Sequence, residues 1–202
     1  MAWTGESLVL ASSSPTRHRL LADAGLDFKV EPARIDEAAI KARFMADGRS
    51  VSDCALALAE TKGRQIAADY PRELIIAADQ ILVCGGTWFD KPANLADARC
   101  QLRARCGRTH QLYTAACVIQ GRACIWQGEA SAKLTMREFS DAFLDSYVAA
   151  EGPAILGPVG AYRLEGRGIQ LFAQVEGDYF AILGLPLLGL LGFLRERGAL
   201  AS

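Results

Sequence analysis

The sequence predicts an α/β protein built on a mixed sheet. Short apolar runs closed by turn residues alternate with longer stretches of helical periodicity. A Gly85-Gly86 turn joins two of the apolar runs as a hairpin, which argues against a purely parallel sheet. Hydrophobic residues make up 51% of the 202-residue chain and charged residues 22%, a balance that supports a packed core and excludes general disorder.

Each element has its own signal. Leu8-Val9-Leu10-Ala11 is a buried strand stopped by serines, and Arg17 to Ala24 a helix with Pro15 near its first turn and Gly25 past its end. Phe28 to Val30 reads as a second short strand. Ser50 to Ala68 is a helix that Ser50 caps, with Val51, Cys54, Ala55, Leu58 and Ile66 at helical spacing. Leu74 to Cys84 is an apolar strand that turns back into Thr87-Trp88-Phe89. Asn94 caps a helix that runs to Cys106 and stops at Gly107. Two or three strands fill Gln111 to Phe139, and Ser140 caps a helix through Val148. The glycines and prolines from Gly152 to Gly160 mark a loop; Ile169 to Val175 and Tyr179 to Leu183 read as strands, and Pro186 opens a last helix.

The formal net charge of −1 gives no cationic surplus for long nucleic acids, whereas a small phosphorylated ligand needs only a few local cations. The six cysteines form no C-x-x-C pair and only His18 and His110 are present, so a zinc cage is not expected and the cysteines read as small thiols in a reducing compartment. The N-terminal residues lack the cationic start of a secretory signal. The apolar tail from Ile182 to Leu194 is shorter than the about 20 residues a membrane span needs. A cytoplasmic protein without a membrane partner is the expectation.

Several residues point to chemistry. Ser12-Ser13-Ser14-Pro15-Thr16-Arg17 lies between a strand and a helix N-terminus, where free N–H groups, hydroxyls and Arg17 suit a phosphate; a plain helix cap is the alternative. No P-loop pattern occurs. Asp79 stands inside an apolar strand, where a carboxylate is costly unless paired, so it is a base, a metal ligand or the solvated end of the strand. Lys62 follows Leu58 by four residues, near the apolar face of its helix, an anomaly whose ordinary reading is an ammonium that snorkels to water. Lys91 is held extended by Pro92 and is otherwise an ordinary surface lysine. Ile35-Asp36-Glu37 offers a metal carboxylate or a solvated loop, and Glu165-Gly166-Arg167-Gly168 a carboxylate in a glycine-rich turn. Both histidines read as structural or surface residues.

These stations, in order, resemble the Maf family of nucleoside triphosphate pyrophosphatases. The matching segments are Leu10-Ala11-Ser12-Ser13-Ser14-Pro15-Thr16-Arg17, Ile35-Asp36-Glu37, Leu58-Ala59-Glu60-Thr61-Lys62, Ala78-Asp79-Gln80, Lys91-Pro92 and Gly107-Arg108-Thr109-His110. Gly160-Ala161-Tyr162, Glu165-Gly166-Arg167-Gly168, Glu176-Gly177-Asp178-Tyr179 and Gly184-Leu185-Pro186-Leu187 complete the series across nearly the whole chain. The resemblance implies an elongated mixed β-sheet flanked by helices with a central cleft, similar to the inosine triphosphatases, in a single domain over 1–202 with two lobes. It implies hydrolysis of a nucleoside triphosphate to its monophosphate and pyrophosphate. Asp79 matches the proton acceptor, and Ser12, Ser14, Arg17, Lys62 and Lys91 match phosphate-binding positions. Glu37 matches an acidic position that binds substrate or, with Asp79, a divalent metal: magnesium, with manganese or cobalt as alternatives. A homodimer is also implied.

Thr16, Gln80 and Glu165 depart from the usual pattern of the dTTP/UTP-cleaving branch, and Gln80 and Glu165 resemble the 7-methyl-GTP-cleaving branch. The physical direction agrees. A carboxylate only accepts hydrogen bonds, guanine's pairing edge offers two adjacent donors, and methylation adds a positive charge. Gly160-Ala161-Tyr162 and Gly177-Asp178-Tyr179 resemble the uridine-type branch instead, so dTTP/UTP or broad specificity is the alternative substrate reading. A non-catalytic nucleotide-binding regulator of cell division is the alternative class; the set of Lys62, Asp79 and Lys91 argues against it.

Overall fold

The computed structural model describes residues 7–200. In chain order the elements are β1 (Leu8–Leu10), α1 (Pro15–Asp23), β2 (Phe28–Val30), α2 (Glu37–Ala46), α3 (Val51–Ala67), β3 (Leu74–Cys84) and β4 (Thr87–Phe89). There follow α4 (Leu95–Arg105), β5 (Thr109–Gln120), β6 (Ala123–Met136), α5 (Asp141–Glu151), β7 (Phe172–Glu176), α6 (Tyr179–Ile182) and α7 (Leu187–Glu196). Two short 3₁₀ segments, Gly152–Leu156 and Arg167–Leu171, interrupt the second half. The strands form a mixed sheet in the order β2-β1-β3-β5-β6-β7, with β4 paired to β3. The α/β fold class is therefore the one observed. Among the described residues no helix is long and apolar enough to cross a membrane.

The chain divides into two compact units: one takes the residues up to Asp79, Tyr113–Ala130 and those from Asp178 onward, and the other takes Gln80–Leu112 and Ser131–Gly177. In the first unit β1 pairs in parallel with both β2 and β3, in the registers Leu8↔Phe28 and Leu8↔Leu74. Such central parallel strands are covered on both faces, so Leu8, Val9 and Leu10 are all buried. Alternation then sorts the core. Leu8, Leu10, Leu74, Ile76, Ala116 and Val118 pack with Leu20 and Leu21 of α1 and with Leu187, Leu190 and Leu194 of α7. Val9, Ile75, Ala77, Cys117 and Ile119 face the other way, onto Ala59, Ile66 and Ala67 of α3. Gly63 lets α3 come close to this face: a Cβ there would lie 2.7 Å from Ile119 Cγ1 and 3.3 Å from the Ala77 Cβ.

In the second unit the end of β3 turns through Gly85 and Gly86 into β4, antiparallel, with Leu82 opposite Phe89. Arg105 of α4 is fully buried; Nε donates to Gln101 O at 3.0 Å and Nη2 to Gly160 O at 2.6 Å, and the guanidinium lies 5.1 Å from the Phe89 ring centroid. His110 is buried too, with Nε2 2.8 Å from the Tyr162 hydroxyl. Burial, and then the charge of Arg105, push the imidazole down to about 3, so it is a neutral structural residue.

Three expectations change. Ile35-Asp36-Glu37 is not a loop alone: Asp36 caps α2, its Oδ1 accepting from Ala39 N at 2.9 Å. Tyr179 to Leu183 is not a strand: Asp178 Oδ1 accepts from Ala181 N at 2.6 Å and starts the short helix α6. The strand expected from Ile169 begins only at Phe172, because Arg167–Leu171 closes into a 3₁₀ turn.

The close approach at Gly63 yields a test. Gly63→Val overpacks the contact with Ile119 by more than the gain in helix propensity over glycine offsets, so unfolding free energy falls by about 2 kcal/mol in denaturant titration. An unchanged midpoint contradicts the contact.

Candidate active site

Asp79 occupies the position that strand alternation assigns to it. It lies two residues past Ala77 and four past Ile75, on the face of β3 that meets α3, and is 5% exposed. Lys62 stands between Ala59 and Ile66 on the buried side of α3 and is also buried. The same two periodicities that build the core thus deliver an ammonium to a carboxylate. Lys62 Nζ lies 2.5 Å from Asp79 Oδ1 and 2.7 Å from Glu37 Oε1. Glu37 reaches the lysine from the first turn of α2, which its neighbour Asp36 caps. An ammonium has three donors, so two carboxylates leave Lys62 one further N–H. Asp79 Oδ2 is buried and has no hydrogen-bond partner.

The serine loop is held by Arg17. Nε donates to Gly184 O at 2.7 Å, and Nη1 donates to Ala78 O at 2.8 Å and to Ser12 Oγ at 3.2 Å. Arg17 therefore ties the loop after β1 to the residue preceding Asp79 and to the turn before α7. Burial pulls the guanidinium below its ordinary range, opposed by the nearby charges of Asp79 and Glu37. Ser12 Oγ accepts from both Arg17 Nη1 and Ser14 N, each at 3.2 Å. With both lone pairs occupied, what Ser12 offers outward is its O–H, a donor. Ser14 is the cap of α1, with Oγ accepting from Arg17 N at 3.3 Å. Thr16, half-buried, is in the first turn of the same helix.

Ser12, Ser14, Thr16, Arg17, Glu37, Lys62 and Asp79 all belong to the first unit, and among them Lys62, Asp79 and Glu37 form one ion cluster. Gln80, Lys91 and Glu165 belong to the second. Lys91 is exposed beside the buried Pro92 after β4. Glu165 lies in a tight turn: Gly166 N donates to Arg163 O at 3.1 Å, and a Cβ at Gly168 would sit 2.4 Å from that same oxygen. Glu165 Oε1 is 3.6 Å from Arg163 Nε. Nothing in the sequence marks the Gly184 and Ala78 carbonyls that fix Arg17, because backbone acceptors carry no residue type.

A protein-family model described as Maf-like protein matches residues 7–197. The chain belongs to the Maf family. The curated relatives match over nearly their whole length. A nucleoside triphosphate pyrophosphatase of Granulibacter bethesdensis is 48% identical over 96% of this chain and 98% of its own. One of the same name from Gluconobacter oxydans is 49% identical over 97% of each chain. A 7-methyl-GTP pyrophosphatase of Rhizobium etli is 44% identical over 96% of this chain and 97% of its own. Three of the Maf-family segments in this chain thus meet at Lys62, which brings together Glu37, Lys62 itself and Asp79.

Removing one partner of a buried ion pair strands the other. Lys62→Met leaves Asp79 buried without its cation, and unfolding free energy falls by about 3 kcal/mol. Adding Asp79→Asn recovers part of that loss. Strict additivity of the two substitutions in a double-mutant cycle contradicts the pairing.

Proposed function

We propose that this Maf-family chain is a nucleoside triphosphate pyrophosphatase that hydrolyses the bond between the α- and β-phosphates, releasing a nucleoside monophosphate and pyrophosphate. The observation that carries the reading is Asp79: one carboxylate oxygen is anchored on Lys62 and the other is buried without a hydrogen-bond partner. A buried acceptor left open next to cations is what a proton acceptor for a water nucleophile requires. The names of the curated relatives support the same reaction.

In this mechanism the water oxygen forms the new bond to phosphorus and its proton passes to Asp79 Oδ2. The bridging P–O bond breaks and its electron pair leaves with pyrophosphate. Lys62, through its remaining N–H, and Ser12, through its O–H, donate to phosphate oxygens and offset the charge that builds there. Arg17 holds the serine loop in place for that contact, and Ser14 fixes the helix start behind it. Lys91 is a further phosphate cation in this reading.

A divalent cation fits the residues present. Glu37 and Asp79 are hard oxygen donors gathered on one ammonium, and Asp79 Oδ2 has no hydrogen-bond partner. Among the described residues no group of three or more His, Cys, Asp and Glu side chains is placed to hold a metal. Two carboxylates suit an ion held together with substrate phosphates, the habit of magnesium, with manganese or cobalt as substitutes. When bound, such an ion neutralises triphosphate charge as a Lewis acid.

For the base, Glu165 is an acceptor-only group suited to the adjacent donors of a guanine and to the positive charge of its 7-methyl form. We take 7-methyl-GTP as the favoured substrate, with UTP and dTTP as the competing reading. The specificity roles of Thr16 and Gln80 belong to the same proposal.

The test is pyrophosphate release with magnesium from 7-methyl-GTP, GTP, UTP and dTTP. Asp79→Asn is expected to lose at least about a hundredfold in kcat on every nucleotide while staying folded. Release at the wild-type rate removes Asp79 from the mechanism.

A further inference from the structure

The second unit contains an arginine suspended between two carboxylates. Arg163 Nε is 3.6 Å from Glu165 Oε1, and Arg163 Nη1 is 3.9 Å from Glu151 Oε2. Both separations give electrostatic attraction, and both are too long for a hydrogen bond. Glu151 Oε2 is buried without a hydrogen-bond partner, on a side chain only 7% exposed, whereas the Arg163 side chain is 37% exposed. A buried carboxylate oxygen lacking a donor, one short swing from a guanidinium, is an uncompensated cost that a hydrogen bond from Arg163 removes.

The backbone on either side is fixed. Tyr162 and Leu164 are buried, and the Arg163 carbonyl accepts from Gly166 N at 3.1 Å. The guanidinium is the part that can move, and its two destinations are the carboxylate of Glu165 and the carboxylate at the C-terminal end of α5.

We infer that Arg163 is a specificity-determining residue: by dividing its charge between Glu151 and Glu165 it sets how much negative charge Glu165 presents to the nucleobase. The inference rests on the reading of Glu165 as the residue that meets the base. When Arg163 turns to Glu151, less of the Glu165 charge is offset and a cationic base is favoured. When Arg163 turns to Glu165, the pair is neutral and a positive charge on the base gains nothing. Glu151, far from being a passive helix-end residue, is the competitor that draws Arg163 away from Glu165.

The experiment compares kcat/KM for 7-methyl-GTP and GTP at mildly acidic pH, where both pairing edges keep the same two adjacent donors and the nucleotides differ by one positive charge. Arg163→Gln is expected to raise the 7-methyl-GTP/GTP ratio about two- to fivefold, the range that partly exposed ion pairs supply. Glu151→Gln is expected to lower it by a similar factor, because Arg163 then turns to Glu165. Arg163→Lys keeps the charge and the wild-type direction. In a Glu165→Gln background both shifts vanish. A purely structural role changes both nucleotides alike, so an unchanged ratio in Arg163→Gln, or shifts of the same sign in Arg163→Gln and Glu151→Gln, overturns the inference. Shifts that persist without Glu165 also overturn it. If Glu165→Gln moves the ratio and Arg163→Gln does not, this inference falls and the base-reading role of Glu165 stands. If Glu165→Gln itself leaves the ratio unchanged, the base-reading role falls and takes the inference with it. Thermal unfolding of the Glu151 variant separates loss of fold from loss of selectivity, and the more exposed Arg163 variants decide the matter independently.

Discussion

The ion cluster of Lys62 with Asp79 and Glu37 is the constraint that the packing of α3 on β3 has to satisfy. Moving an ammonium and a carboxylate out of water costs several kcal/mol each, and the attraction between them offsets this only when the geometry is close. Lys62 Nζ meets Asp79 Oδ1 at 2.5 Å and Glu37 Oε1 at 2.7 Å, so the geometry is close. That closeness comes from the core. Ile75, Ala77 and Asp79 share one face of β3, Ala59, Lys62 and Ile66 share one side of α3, and Gly63 allows the two surfaces to touch. The apolar packing supplies the free energy that holds the charges together. In the proposed reaction the charges form a polar patch that is already in place for a phosphate.

Arg17 plays a different part from Lys62 although both are buried cations. Its Nε and Nη1 are committed to the carbonyls of Gly184 and Ala78 and to Ser12 Oγ. It is a clamp that holds the serine loop, leaving the Ser12 O–H as the donor. Lys62, with two of three donors used, retains one, which the proposed mechanism gives to substrate. The division of labour follows from counting donors and acceptors rather than from charge.

Much of this was legible in the sequence, for local reasons. The hairpin Leu74–Cys84 and Thr87–Phe89 follows from an apolar run and two glycines, and the caps Ser50, Asn94 and Ser140 each sit before a helix where a hydroxyl or amide was available. Asp79 and Lys62 were visible as charges at apolar positions. Their pairing was not, because it depends on which face of β3 receives α3, a long-range fact. Helix α6 misled for the opposite reason: Tyr179-Phe180-Ala181-Ile182 has strand-forming residues, yet the Asp178 cap and the backbone bonds from Ile182 N to Asp178 O and from Leu183 N to Tyr179 O make it helical. Helix α2 was available in Glu37-Ala38-Ala39-Ile40-Lys41-Ala42-Arg43, a run of good helix formers behind the Asp36 cap. The arrangement of Glu151, Arg163 and Glu165 required the structure, since Glu151 is separated from the other two by a loop and its distance from them is not written in the spacing.

In the proposed reaction Asp79 offsets part of the Lys62 charge that a triphosphate would otherwise meet, at the same time as it prepares the water. The most direct measurement is calorimetric titration of a non-hydrolysable nucleoside triphosphate into wild type and Asp79→Asn, each with divalent metal chelated so that loss of a metal ligand does not enter. The account predicts that Asp79→Asn, although inactive, binds the analogue at least as tightly as wild type, because its Lys62 is no longer held by that carboxylate charge. Loss of binding in parallel with loss of turnover would contradict it.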